Sequence, residues 1–255
     1  MSLACPQAET DGEGPGQTVL DVLLSALLAG LAAGVLATLV AWAAVEPALD
    51  RAIGLEEEQA EGEPGHAHEA SPVPRSVQRT VGLAAGTVAV AAAAGLACGV
   101  VGVAAARGGS AREALRGARE AALLGGYAVG LVPALAYPAN PPGVGDPDTA
   151  GERTLAYLGA VAFGLTGALA AVLLRRLLGQ HRGRIGWLAF AAALAGGAGA
   201  AVVLLEPVSP GEGYPADLLW EFRRGSLLVR AGLWLALAGM LWWLEEEAKG
   251  RSGVR

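Results

Sequence analysis

The chain has 255 residues, of which 53% are hydrophobic and only 16% charged, and it carries a formal net charge of −6. A soluble domain of this size carries about 25% charged residues, and here the apolar residues fall in long blocks, which excludes an ordinary water-soluble globule. Lys249 is the one lysine, so neither a Walker A loop nor an intramembrane Schiff base is available; HExxH and CxxC are also missing, and an enzyme is poorly supported.

The first eighteen residues contain no Lys or Arg and are rich in glycine and acids, which predicts a disordered acidic tail over 1–18. Six apolar blocks follow: Val19–Val45, Thr80–Ala106, Ala121–Tyr137, Thr154–Leu174, Ile185–Leu205 and Ser226–Leu244. Blocks of this length read as membrane spans. The fold class expected is all-α, a polytopic helical membrane protein with about six transmembrane helices. The third block is the shortest and contains Pro133, so five is the alternative count. The first block lacks a basic start and is too long for a cleavable signal peptide. The expected organisation is the tail, one transmembrane domain over 19–245 and a cytoplasmic tail over 246–255. Cys5 in the tail and Cys98 in the second block define no disulfide framework, and Cys98 reads as a small core residue.

The loop after the first span, 46–79, holds eight acids and three arginines, with "EPGHAHEA" in its middle. His66 and His68 offer two imidazoles to a first-row divalent ion, although a plain solvated acidic linker has the same composition. Within the spans, Gly30–Gly34, Gly82–Gly86, Gly95–Gly99 and Gly126–Gly130 match the GxxxG spacing that lets helices approach closely in lipid. These stripes pack the bundle or dock a partner helix, a second copy of the chain included. "YPANPPGVGDPDT" (Tyr137–Thr149) then separates blocks three and four. Proline there stops a helix, with Pro133 expected to break it earlier, and Asp148 or Thr149 caps the next. The first span ends "VEPALD" and the fifth "LEPVSPGEGYPAD", each with a glutamate directly before proline. With Asn140, Asp146 and Asp148, Glu46 and Glu206 make a rim of oxygen atoms that suits divalent cations, or else ordinary solvated boundary charge. Arg230 is the ionisable residue well inside a span; it is either a functional charge or a snorkelling one, with Glu46, Glu206 and Glu221 as candidate partners.

Basic residues stay on the cytoplasmic side of membrane spans. Eleven of them fall between spans two and three, between four and five, and after six, against six on the opposite side. Both termini are therefore expected in the cytoplasm, in a bacterial inner membrane. Trp42 and Trp220 then lie near the outer interface and Trp187, Trp242 and Trp243 near the inner one, as tryptophan prefers. With the basic residues confined to short juxtamembrane loops, nucleic acid is not a partner.

Two long stretches carry a resemblance. "LVPALAYPANPPGVGDPDTAGERTLAYL" (Leu131–Leu158) and "YPADLLWEFRRGSLLVRAGLW" (Tyr214–Trp234) resemble the two hallmark motifs of the CbtA family of cobalt transporter subunits. "SVQRTVGLAAG" and "LLAGLAAGVLATLV" followed by "EPALDRAI" are similar to its second and first span entries, so the likeness runs from Val19 to Trp243. The resemblance implies Co²⁺ uptake linked to cobalamin synthesis, no dedicated ATPase, no permanently bound cofactor, and a small single-span partner of the CbtB type. It favours Asn140, Asp146, Asp148, Glu46, Glu206 and Asp217 as the metal-handling set, fed by His66 and His68. Arg230 departs from the family pattern, which has an uncharged polar residue there. A nickel permease, or a membrane scaffold without transport of its own, are the alternative readings.

Overall fold

The computed structural model describes residues 15–61, 73–142, 144, 149–179, 183–205 and 214–253. The expected tail at 1–18 lies outside them up to residue 14, and from Pro15 onward the chain is already helical. Every regular element among the described residues is a helix: α1 Pro15–Ala44, α2 Glu46–Glu61, α3 Arg75–Val77, α4 Leu83–Ala106, α5 Ala111–Gly125, α6 Val132–Ala136, α7 Ala150–Gly179, α8 Gly183–Leu204 and α9 Ala216–Gly253. A π-helical turn, Gln78–Gly82, joins α3 to α4, and another, Gly126–Leu131, joins α5 to α6.

Five of the resulting rods are long and apolar enough to cross a membrane: Thr18–Ala44, Arg75–Ala106, Ala150–Gly179, Gly183–Leu204 and Ala216–Gly250. Their packing is inverted relative to a soluble protein. The buried positions are mostly alanine and glycine, such as Ala26, Ala33, Ala37, Ala91, Ala118 and Ala122, while Leu28, Leu155, Leu169 and Val203 stand exposed. Lipid tails are as apolar as leucine, so large side chains gain little by turning inward, and close backbone contact holds the helices instead.

The third expected span, Ala121–Tyr137, is not a free-standing apolar helix. It is the second half of a rod over 111–136 whose first half is amphipathic. Ser110 opens it with a capping box: its Oγ accepts from the Glu113 amide at 3.3 Å, and Glu113 accepts from the Ser110 amide at 2.9 Å. Ala114, Leu115, Ala118 and Ala122 face inward, and Arg112, Arg116 and Glu120 face outward. The left-handed Arg107 and Gly108 turn the chain back from α4 into this rod.

The rod runs antiparallel to α9 along its whole length. Arg119 pairs with Glu245 at 3.1 Å, Gly126 and Gly130 face Trp234, and Asn140 just beyond the rod meets Arg223. From Glu245 to Arg223 α9 rises about 33 Å at 1.5 Å per residue, against a hydrocarbon core of about 30 Å. Pro133 does not stop the helix as expected. The hydrogen-bond register shifts in the π turn just before it, Pro133 sits fully buried at the start of α6, and the helix continues to Ala136.

Three of the four glycine pairs lie in close contacts. A methyl on Gly30 would sit 2.5 Å from the Ala91 carbonyl oxygen, and one on Gly34 would sit 2.7 Å from the Val88 Cα. Gly95 and Gly99 meet Ala26 from the other side of the same α1–α4 seam. Gly126 and Gly130 make the flat surface on which Trp234 lies. The fourth pair departs from the expectation of packing: Gly86 has nothing within 4 Å, and Gly82 meets only its own helix at Val77. The α7–α8 hairpin closes through Gly167 against Gly197 and joins the rest through Gly164, where a methyl would sit 2.5 Å from the Ala128 carbonyl oxygen.

Replacement of Gly30 or Gly95 by leucine forces backbone apart and is expected to destabilise the bundle by at least the 1–3 kcal/mol typical of overpacking. Gly86→Leu is expected to leave thermal unfolding in detergent unchanged, and equal effects at the three positions would contradict the α1–α4 seam.

Candidate functional site

One end of the bundle gathers the described residues of the expected rim. The hydrogen bonds of α1 end at Val45, and Glu46-Pro47 starts α2 in a new direction, since Pro47 has no N–H to continue the ladder. The first part of the expected loop is therefore helix. Ala48 and Ala52 bury against Leu218 of α9. This kink drives Glu46 inward, to 4% exposure.

A buried carboxylate needs a partner, and arginine supplies it. Arg75, at the mouth of the 75–106 rod, donates Nη2 to Glu46 Oε2 at 2.5 Å and to Asp50 Oδ1 at 2.9 Å. Arg79 reaches the other Asp50 oxygen at 3.4 Å, and Arg51 pairs with Glu221 of α9. Across the same end, Arg223 donates to the Asn140 side-chain oxygen at 2.8 Å, and Arg153 donates to the Val144 carbonyl at 3.3 Å. Tyr214 lies beside this network, its hydroxyl pKa raised by burial and then by the negative charge of Glu56.

This arrangement changes the expected ligand set. Glu46 and Asn140 are each held by a guanidinium, which competes directly with a cation for the same oxygen atoms. Asp217 is exposed in the first turn of α9, where a negative charge suits the helix N-terminus. His66, His68, Asp146, Asp148 and Glu206 lie outside the described residues. Among the described residues, no group of three His, Cys, Asp or Glu side chains is placed to hold a metal ion. Arg230 lies in α9 beside the rod; of the glutamates considered for it, Glu46 and Glu221 pair instead with Arg75 and Arg51, Glu206 lies outside the described residues, and the Arg230 Nη1 is buried without a hydrogen-bond partner among the described residues.

The residues missed from the sequence are the partners, Arg75 and Arg223 above all. Their signal was present. Six arginines on the side expected to be poor in basic residues are most simply there to neutralise that side's carboxylates. Trp234 was also missed as a packing residue, because nothing in its own neighbourhood shows that glycines on another helix make room for it.

Apolar rods with small-residue seams and no described constellation of nucleophile, base or metal define a multi-pass helical membrane protein. A family model described as "Probable cobalt transporter subunit (CbtA)" matches residues 19–246. The chain belongs to the CbtA family, and is thus a transporter subunit rather than an enzyme. No curated protein and no solved structure matches the chain.

The Glu46–Arg75 pair yields a direct test. Arg75→Ala strands a buried carboxylate and is expected to lower stability by about 1–3 kcal/mol. Glu46→Gln in that background is expected to recover much of the loss, with a coupling energy above about 0.5 kcal/mol in a double-mutant cycle followed by chemical unfolding in micelles. Additive losses would show that the two side chains do not depend on each other.

Proposed function

We infer that this chain is the membrane subunit of an ATPase-independent Co²⁺ uptake permease in a bacterial cytoplasmic membrane, supporting cobalamin synthesis. The observation that carries the reading is the family match across 19–246, coextensive with the apolar rods. The rod over 111–136 accompanies α9 through its full depth, which supports six crossings and both termini on the cytoplasmic side. The Glu46 end of the bundle is then outermost, and the Arg107 and Arg175 ends are innermost, in keeping with the excess of basic residues there.

In this reading His66 and His68 capture Co²⁺ loosely, and Asp146, Asp148 and Glu206 replace part of its water. Imidazole and carboxylate both bind first-row divalent ions, and Ni²⁺ shares those preferences. Glu46 and Asn140 belong instead to the arginine network that braces the entrance. Onward passage has only weak ligands, the backbone carbonyls near the Gly126–Leu131 turn, where Pro133 has no N–H to give. Weak sites suit an ion that must leave again, and an inside-negative potential favours entry by about 2.3 kcal/mol per charge per 100 mV. A small single-span CbtB-type subunit is the partner proposed to complete the path.

A second reading has its own observation. The described residues hold no cluster of metal ligands, and their helix seams are filled by alanine and glycine. A scaffold that assembles a transporting partner would look the same.

The deciding measurement is uptake of radioactive Co²⁺ into proteoliposomes under an inside-negative potential, with the chain alone and with its partner. Asp146→Asn with Asp148→Asn is expected to reduce uptake severalfold at unchanged expression. Uptake that needs the partner and is indifferent to every outer-face substitution would establish the scaffold instead.

A further inference from the structure

Beside the Gly126–Leu131 turn, whose backbone carbonyls serve the proposed ion path, the side chains of the 111–136 rod and α9 leave an open cleft. Two adjoining troughs lie along it, of about 300 Å³ and about 260 Å³. The first is walled by Leu123, Leu131, Leu227, Trp234 and Leu235, with Arg230 also lining it, and is otherwise almost wholly apolar. Gly126 and Gly130 let Trp234 lie directly against the rod, and the leucines on either side of that contact form the walls. The second trough continues toward the Asn140 end and brings together Arg223, Arg224 and Arg230, with Trp220 at its edge.

The charge at that end is not balanced in the way the neighbouring network is. Among the described residues, Arg223 gives one N–H to Asn140, a neutral group, and its Nε is buried without a partner. Arg230 Nη1 is likewise buried and unpartnered among the described residues. Buried guanidinium donors call for an anion. The wall opposite the arginines is apolar, and Leu131, Leu135, Leu227 and Leu235 are exposed along the opening, so the cleft faces the hydrocarbon.

We propose that this cleft binds an anionic phospholipid, its phosphate held by Arg223, Arg224 and Arg230 and an acyl chain laid in the trough toward Leu123 and Leu235. Length decides between a lipid and a transmembrane helix. From Arg224 to Leu235 the trough runs about 17 Å along α9, which is one leaflet of a hydrocarbon core about 30 Å thick. A spanning partner helix would need a seat twice as long. The arrangement of arginines at the boundary, tryptophan at the edge and an apolar trough inward reproduces the order of groups in a phospholipid, from headgroup to tail.

The test uses the full chain in detergent, titrated with phosphatidylglycerol or phosphatidylcholine and read as lipid adducts by native mass spectrometry. Phosphatidylglycerol is expected to bind about tenfold tighter, the scale of a charge-assisted hydrogen bond or two. Arg230→Gln with Arg224→Gln is expected to abolish that preference. Leu131→Trp, a change at an exposed wall position that leaves all three arginines in place, is expected to weaken both lipids, and it keeps the test valid if the arginine variants fail to fold. A diazirine on the acyl chain is expected to label the trough walls. Equal binding of the two lipids by the unaltered chain, a preference that survives the double arginine variant, or binding of both lipids unchanged by Leu131→Trp overturns the proposal. Equal binding together with loss of a co-expressed single-span subunit in Leu131→Trp overturns it in favour of a transmembrane helix bearing a carboxylate. The readout is binding and not transport, so it stands whichever reading of the uptake function holds.

Discussion

The architecture depends on the approach of α1 to α4 without side chains between them. In lipid there is no water to drive leucines together, so two helices associate only as well as their surfaces fit. Gly30, Gly34, Gly95 and Gly99 let backbone touch backbone, with Ala26 and Ala91 completing the seam. Everything else is placed by this pair. α9 lies against α1, with Gly225 close upon Ala44 at one end, while α5 lies against α4 through Gly102 and Gly117.

The 111–136 rod is the second organising element, because it belongs to both halves of the molecule. Its amphipathic first half packs with α4 and α9, and its second half receives the α7–α8 hairpin. The Tyr127 hydroxyl donates to the Leu194 carbonyl at 2.6 Å, and the Ala128 carbonyl faces Gly164. The π turn lies at this junction, as such turns frequently do at functional sites. A rod that changes its hydrogen-bond register where two halves meet, with a buried proline just beyond, has fewer fixed backbone bonds there than elsewhere. That is the place where carbonyl oxygens are least committed.

At the Glu46 end the governing constraint is electrostatic. A kink that buries a glutamate is tolerable only with a cation beside it, and once Arg75 is there Asp50 and Arg79 extend the pair into a chain. Network and seam support each other: Pro47 makes the kink, α9 lies against the end of α1 there, and the ion pairs tie α2 and the mouth of the 75–106 rod to that end. The arginines farther along α9 follow a different logic, since Arg224 and Arg230 line a cleft and are paired with no carboxylate among the described residues.

The amino-acid order alone determined the class and most of the membrane layout. Runs of about twenty apolar residues leave a helix across a bilayer as the one way to satisfy every backbone N–H and C=O, so the rods beginning in α1, α4, α7, α8 and α9 were legible from composition and length. The two long motifs at Leu131–Leu158 and Tyr214–Trp234 carried the family. What only the tertiary structure decided was partnership. Spacing could nominate Glu46 and Asn140 as ligands, but it could not reveal that arginines 29 and 83 positions away along the chain would hold them. Nor could four equivalent GxxxG pairs show that Gly82–Gly86 faces open space while the others set the seams. The physical reason is the same in each case: helix formation in lipid is decided locally, by each segment's own hydropathy, whereas ion pairing and close packing are decided by whichever surface the rest of the chain brings opposite.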